Sequence, residues 1–363
     1  MAIGTNLRRR VAVPDKKSPP APHVLRAWRA VQYILLLAGL SLVATLIYQP
    51  VIGINIFWNI FIPAAPALIV IAPGLWRNIC PLATFALLPR QFGLSRRTVP
   101  TPQHAAWLAA AGLAALFLIV PLRHLSLDTS GPMTALMLIL AAVCAFTLGV
   151  VYERRGAWCN SLCPIHPAEK LYGLMSGITV SNTRCDNCSK CYIPCPDSTR
   201  SMNPAVTGSS RVEKAVGHIM VGGFPGFIWG WYQIPDYRVA VGASEITAAY
   251  AWPLGCALAT LILYRWIWRY CHTPDAYRKL IKLFATAAVC TYYWYRIPLL
   301  AGFGPHPGSG MLRDLHLVLP DLPLVSRMLT TSFFIWFILF RGDPRASWMA
   351  RPDSDAEARE PDI

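Results

Sequence analysis

Charged residues are scarce in this chain: they make up 14% of its 363 residues, whereas soluble domains carry roughly 25%. That scarcity excludes an ordinary water-soluble globule. Acids are scarcer still, with 18 Asp and Glu against 33 Lys and Arg, a net charge of +15. The basic excess is scattered between apolar stretches, with no single stripe and no recognition motif, which excludes a nucleic-acid partner. No small-residue cleavage site follows the first apolar run near Trp28, so that run is expected to stay as an anchor. CxxCH is absent, which excludes covalent c-type haem. Walker, dinucleotide GxGxxG and HExxH motifs are absent too. Apart from Arg296, charges inside the apolar stretches are nearly missing, so a transporter ranks behind other readings. No internal repeat of the roughly 20 to 50 residue kind is present.

What the chain has is apolar length. Hydrophobic residues make up 55% of it, and a bilayer core of about 30 Å asks for roughly 20 apolar residues per helix. About eight stretches meet that demand, near 27-48, 52-74, 104-122, 132-152, 215-232, 244-264, 283-301 and 325-340. The fifth is the weakest, interrupted by Gly222, Gly223, Pro225, Gly226 and Gly230, and its alternative is a re-entrant segment. Lys and Arg in short loops mark the cytoplasmic side. With every stretch crossing and both termini inside, the inner loops collect Arg77, Arg90, Arg96, Arg97, Arg154, Arg155, Lys170 and the group from Arg265 to Lys282, while the outer loops keep only Arg123, Arg238, Arg313 and Arg327. The expected fold is therefore an all-α polytopic membrane protein with about eight transmembrane helices and a small ferredoxin-like cytoplasmic iron-sulfur loop. The expected location is a bacterial inner membrane.

The organisation follows from that topology. A basic, proline-rich N-terminal arm (1-26) reads as disordered and lipid-facing. Helices one to four occupy 27-152, with a Cys-Pro element at Cys80. Residues 153-214 form a cytoplasmic iron-sulfur-binding region, helices five to eight occupy 215-341, and 342-363 is a solvated cytoplasmic tail.

The chain has 11 cysteines. Cys185, Cys188, Cys191 and Cys195 stand in CxxCxxCxxxCP, the bacterial ferredoxin run that holds a [4Fe-4S] cluster. A zinc knot is the alternative, but structural zinc sites bring ligands as separated pairs. In ferredoxins with paired runs the fourth cysteine serves the other cluster, which directs attention to further thiolates. Cys159 and Cys163 form CxxxCP just after the fourth span, where the spacing sets both sulfurs one turn apart. The segment Trp76-Arg-Asn-Ile-Cys80-Pro81 repeats the same frame with one thiolate, and Cys271 follows the sixth span on the same side. These eight inner cysteines match the count for two cubanes. The alternative is one cluster with the other inner cysteines inert. Cys144, Cys256 and Cys290 fall within spans and read as apolar fillers.

From Trp76 to Pro196 the sequence resembles membrane-bound ferredoxin-type proteins of the NapH/NosR kind, from nitrate and nitrous-oxide respiration. Cys159, Cys163 and the four cysteines of the run match that pattern residue by residue, while this chain has one ferredoxin run where those proteins have two. The resemblance implies an electron-transfer role for the clusters. The resulting expectation is a membrane-anchored protein that relays single electrons between a quinone pool or redox partner protein and a respiratory or biosynthetic enzyme, without being a catalyst alone. The alternative is an iron-sulfur assembly or redox-sensing protein. A quinone is a candidate ligand near Arg296, which lies beside Tyr292, Tyr293, Trp294 and Tyr295, though a snorkelling arginine is the default there. Histidines such as His104, His124, His218 and His316 read as interfacial.

Overall fold

The computed structural model describes residues 16–17, 21–96, 98, 100–152, 155–181, 183–184, 203–208, 210–237, 241–304, 310–342 and 349–352. Long helices dominate them: α1 Pro22–Tyr48, α2 Pro50–Ile71, α3 Pro102–Leu127, α4 Gly131–Val151, α5 Arg211–Trp231, α6 Ala243–Trp268, α7 Pro274–Leu300 and α8 Leu322–Phe340. Among the described residues, six of these (α1, α2, α3, α4, α6 and α8) are long and apolar enough to cross a membrane. The protein is thus a helical, multi-pass membrane protein. Exposed apolar side chains such as Ile34, Leu37 and Leu40 on α1 and Leu258 and Ile262 on α6 form faces suited to lipid.

Several helices begin a few residues upstream of the apolar stretch that announces them. Proline occupies the first turn of α1, α2, α3 and α7, where its missing N–H costs nothing. The side chains of Thr101, Ser130, Ser210 and Thr273 accept a first-turn N–H at the starts of α3, α4, α5 and α7, the ordinary device for satisfying exposed helix donors. The first helix accordingly starts at Pro22, within the arm assigned from sequence as 1-26.

α5 and α7 carry the largest shares of buried residues, and they are polar at their first turns. The glycines of α5 explain its weak apolar signal. α5 is one continuous helix, and its small residues let α6 approach closely. A Cβ on Gly226 would stand 2.5 Å from Thr260 Oγ1 and 2.6 Å from the Cys256 carbonyl carbon. Backbone atoms cannot yield, so Gly226→Ala is expected to destabilise by about 1–3 kcal/mol, the usual range for overpacking. Gly255→Ala, on α6 with open space around it, should instead be neutral or stabilising through helix propensity. Denaturant unfolding of the detergent-solubilised protein followed by circular dichroism reads both.

α7 locks onto α2 by an insertion. The Tyr293 hydroxyl donates to the Pro63 carbonyl at 2.7 Å and accepts from the Ala67 N–H at 2.9 Å, taking the place of the helical bond between those residues. At the other end of the molecule, short parallel pairings join Lys16–Lys17 to Met349–Pro352 and Met349–Pro352 to Val180–Ser181. Residues 16–17 and 349–352 therefore meet beside the segment that leads toward the ferredoxin-type run.

Candidate metal centre

The site is built from three chain segments at one end of the bundle. After α2 the chain turns at Ala72 into the short helix Pro73–Ile79, and Cys80 joins it to a second short helix, Pro81–Phe85. Each proline sits where a helix starts, so the Cys-Pro pair forces a break at the cysteine. After α4, a π-helical turn Arg155–Leu162 carries Cys159, and Cys163 follows at its end, its N–H bonded to the Trp158 carbonyl at 2.9 Å. The helix His166–Tyr172 comes next and is tied to α7 by the Tyr172 hydroxyl, 3.1 Å from the Ala285 carbonyl.

The structure brings Cys80, Cys159 and Cys163 near enough to act on one another. Burial, then the neighbouring Cys159, pushes the Cys80 thiol up to about 11. Burial, then Glu169, Cys80 and Cys159, pushes the Cys163 thiol well above its ordinary value. Such thiols hold their protons unless a bound metal's own charge inverts the balance. Among the described residues, no group of three His, Cys, Asp or Glu side chains stands close enough to hold a metal ion. Thiolate sulfur is a soft donor of the kind iron-sulfur clusters use.

Two buried arginines frame the trio. Arg77 Nε donates to Glu169 Oε2 at 2.9 Å, Nη1 to Asn160 Oδ1 at 2.7 Å, and Nη2 to the Cys159 carbonyl at 2.9 Å and to Glu169. His166 Nδ1 lies 3.0 Å from Arg77 Nη2; an arginine N–H only donates, so Nδ1 accepts and the imidazole is neutral. Burial lowers His166 to about 4, in keeping with that tautomer. Burial alone would raise the Glu169 carboxyl, but the Arg77 guanidinium holds it down at about 2.

Arg184, 1% exposed, is the second frame member. Its Nη2 donates to the Asn78 carbonyl at 2.9 Å, to Thr84 Oγ1 at 2.9 Å and to the Cys80 carbonyl at 3.4 Å. The preceding Thr183 hydroxyl donates to Asn78 Oδ1 at 3.1 Å and accepts from Gln32 Nε2 at 3.1 Å. The segment that leads into Cys185 is thereby fastened to the Cys80 turn and to α1.

Cys185, Cys188, Cys191 and Cys195 lie outside the described residues. Cys271 is placed in the main apolar core, its Sγ 3.7 Å from the Ile267 carbonyl of the preceding helix, α6. Sequence reasoning counted Arg77 only as a loop charge and did not single out Glu169, His166, Thr183 or Arg184. Only their nearness to the cysteines, three residues before Cys80 for Arg77 and one before Cys185 for Arg184, signals them. Two other expectations are corrected by burial. Arg296 does not snorkel but is 1% exposed, and His124 is 4% exposed in an ion pair with Asp236. His104 and His316 are exposed.

No known protein family, curated protein or solved structure matches this chain.

Proposed function

We propose that this protein is a membrane-anchored [4Fe-4S] protein that relays single electrons at the cytoplasmic face of a bacterial inner membrane. The observation that carries this reading is that Cys80, Cys159 and Cys163, from two loops, lie within electrostatic reach of one another, with Arg184, the residue directly before the ferredoxin-type run, bonded to the Cys80 carbonyl. Arg184 directly precedes Cys185 in sequence, which supports a run that begins near the trio. Two cubanes side by side are a relay, whereas one cluster in a loop has no internal partner.

In this reading all eight long helices cross the membrane, α5 and α7 as the shielded inner pair, and both termini are cytoplasmic. The bias of Lys and Arg toward the loops at the thiol end supports that orientation. Cys185, Cys188, Cys191 and Cys195 hold one cluster. Cys80, Cys159 and Cys163 contribute to a second, whose fourth ligand comes from Cys271 or from the run. Clusters of this kind supply one-electron exchange. The protein's own part is to exclude water and to set fixed positive charge around the site. Arg77 and Arg184 place guanidinium groups at the backbone of Cys159 and Cys80, where they offset the negative charge that thiolate ligation collects.

The two ends of the bundle are separated by a hydrocarbon layer of about 30 Å, too far for one tunnelling step, so the electron partner at the thiol end is a quinone or a redox protein docking there. Mixing the reduced, cluster-loaded protein with menaquinone and ubiquinone analogues, and with membrane extracts containing soluble redox carriers, tests the role. Rapid bleaching of the reduced-cluster signal by one of them is the expected result. Loss of the signal only by cluster breakdown and rebuilding, with no acceptor active, replaces the relay with the assembly or sensing role.

A further inference from the structure

The end of the bundle away from the cysteines holds a second buried polar cluster that an electron relay does not use. Two π-helical turns build it, Asn55–Phe61 within α2 and Arg123–Leu127 at the end of α3. Such turns are rare and concentrate at functional sites. Trp58 joins them: its Nε1 donates to the Leu127 carbonyl at 3.1 Å and to Thr134 Oγ1 at 3.0 Å.

Most of the charge here is compensated. Arg123 makes a two-bond ion pair with Asp128, both distances 2.9 Å, and its guanidinium lies 4.3 Å and 4.8 Å from the ring centres of Trp58 and Trp231. His124 Nδ1 is 2.6 Å from Asp236 Oδ1, and its Nε2 is 2.9 Å from the Trp231 carbonyl oxygen.

Arg296 is the exception. Its Nη2 donates to the Trp58 carbonyl and to Asn59 Oδ1, while Nε and Nη1 have no hydrogen-bond partner. A guanidinium carries five N–H bonds, two of them on Nη2, so three find no acceptor among the described residues. The two carboxylates of the cluster are already engaged by Arg123 and His124. Tyr292, one helical turn before Arg296 and so on the same face, has a buried hydroxyl without a partner. So does Tyr232, whose ring centre is 6.2 Å from that of Tyr292.

A cation buried without a counter-charge is strongly unfavourable, and this one is surrounded by unused donors. We propose that Arg296, Tyr292 and Tyr232 bind a small monovalent anion of halide size. The single uncompensated positive charge sets the valence. Free N–H and O–H groups set the sign. Size is set by close packing beside the guanidinium: a Cβ on Gly310 would stand 2.9 Å from Arg296 Nη1 and 2.6 Å from Leu299 Cδ2, too tight for a headgroup. The site is independent of the iron-sulfur reading.

The test uses the full-length, cluster-loaded protein in detergent, exchanged into gluconate and titrated with sodium bromide, with sodium sulfate as the larger divalent contrast. Trp58 and Trp231 flank the cluster, so tryptophan fluorescence and the unfolding temperature report together. A saturable response to bromide and none to sulfate is expected. Arg296→Gln should abolish it, and Tyr292→Phe should weaken it by roughly tenfold, the loss of one charge-assisted hydrogen bond. If Arg296→Gln does not fold, Tyr292→Phe and the anomalous signal of bromide in wild-type crystals decide. No saturable response, an affinity unchanged in Tyr292→Phe, or a water in place of bromide beside Nη1 would each overturn the proposal.

Discussion

Anaerobically purified protein is expected to hold about eight irons and eight sulfides per chain, the content of two cubanes. Cys188→Ser and Cys159→Ser should each remove about half of them, and for different reasons. Cys188 stands in the middle of the run, where each thiolate wraps one corner of the cluster. Cys159 belongs to the half-buried trio with Cys80 and Cys163. Cys80→Ser should behave like Cys159→Ser, because the structure places them together. Electron paramagnetic resonance of the reduced protein separates the losses, since two reduced clusters side by side broaden each other's signals and one alone does not. About four irons in the unmodified protein, with Cys159→Ser unchanged, would leave a single cluster in the run. Cys271→Ser is the discriminating fourth variant: unchanged iron would remove Cys271 as a ligand and give the last position to the run.

The bilayer character of the chain is legible at a glance because burial in lipid demands unbroken apolar length, and six of the long helices among the described residues have it. Their starts are less legible. Hydropathy averages over a window, whereas Pro22, Thr101 and Ser210 act at single residues through a missing or an accepted N–H. α5 is the instructive case. Gly222, Gly226 and Gly230 lower its apolar signal and imitate a broken helix, yet their value lies in what they permit on α6, a neighbour that a linear reading cannot see. The cysteine motifs are legible because ligand spacing is local. The arginines that frame them are not. Arg77 and Arg184 read as two more basic loop residues until folding brings Glu169, Cys159 and Cys80 against them across long sequence separations, and Arg296 reads as an interfacial cation until α2 covers it.

Arg77→Ala is expected to cost about 3–5 kcal/mol of stability, the usual penalty for breaking one side of a buried ion pair. The side chains of Arg77 and Glu169 are 3% and 6% exposed, so Glu169 would be left as an unpaired carboxylate with only the neutral His166 beside it. Asn160 Oδ1 and the Cys159 carbonyl would lose their donor in the same step, which loosens the turn that presents Cys159. Iron occupancy of the second centre should therefore fall along with the denaturation midpoint, while the cluster of the ferredoxin-type run is retained. Acid should act on the same pair in a defined window. Because the folded carboxyl is held at about 2 against an ordinary 4.5, the unfolded chain takes up the proton first, so the pair's contribution is intact above about 4.5 and is lost as the pH falls toward 2. Glu169→Gln removes that pH dependence and keeps the volume. Replacing both partners, Arg77→Met with Glu169→Leu, should recover much of the stability, since an apolar pair needs no compensation, yet it should not recover iron occupancy, because no side chain then holds the Cys159 carbonyl. Recovery of both would mean that the pair supports the fold alone; recovery of stability without iron assigns Arg77 to the positioning of the metal centre.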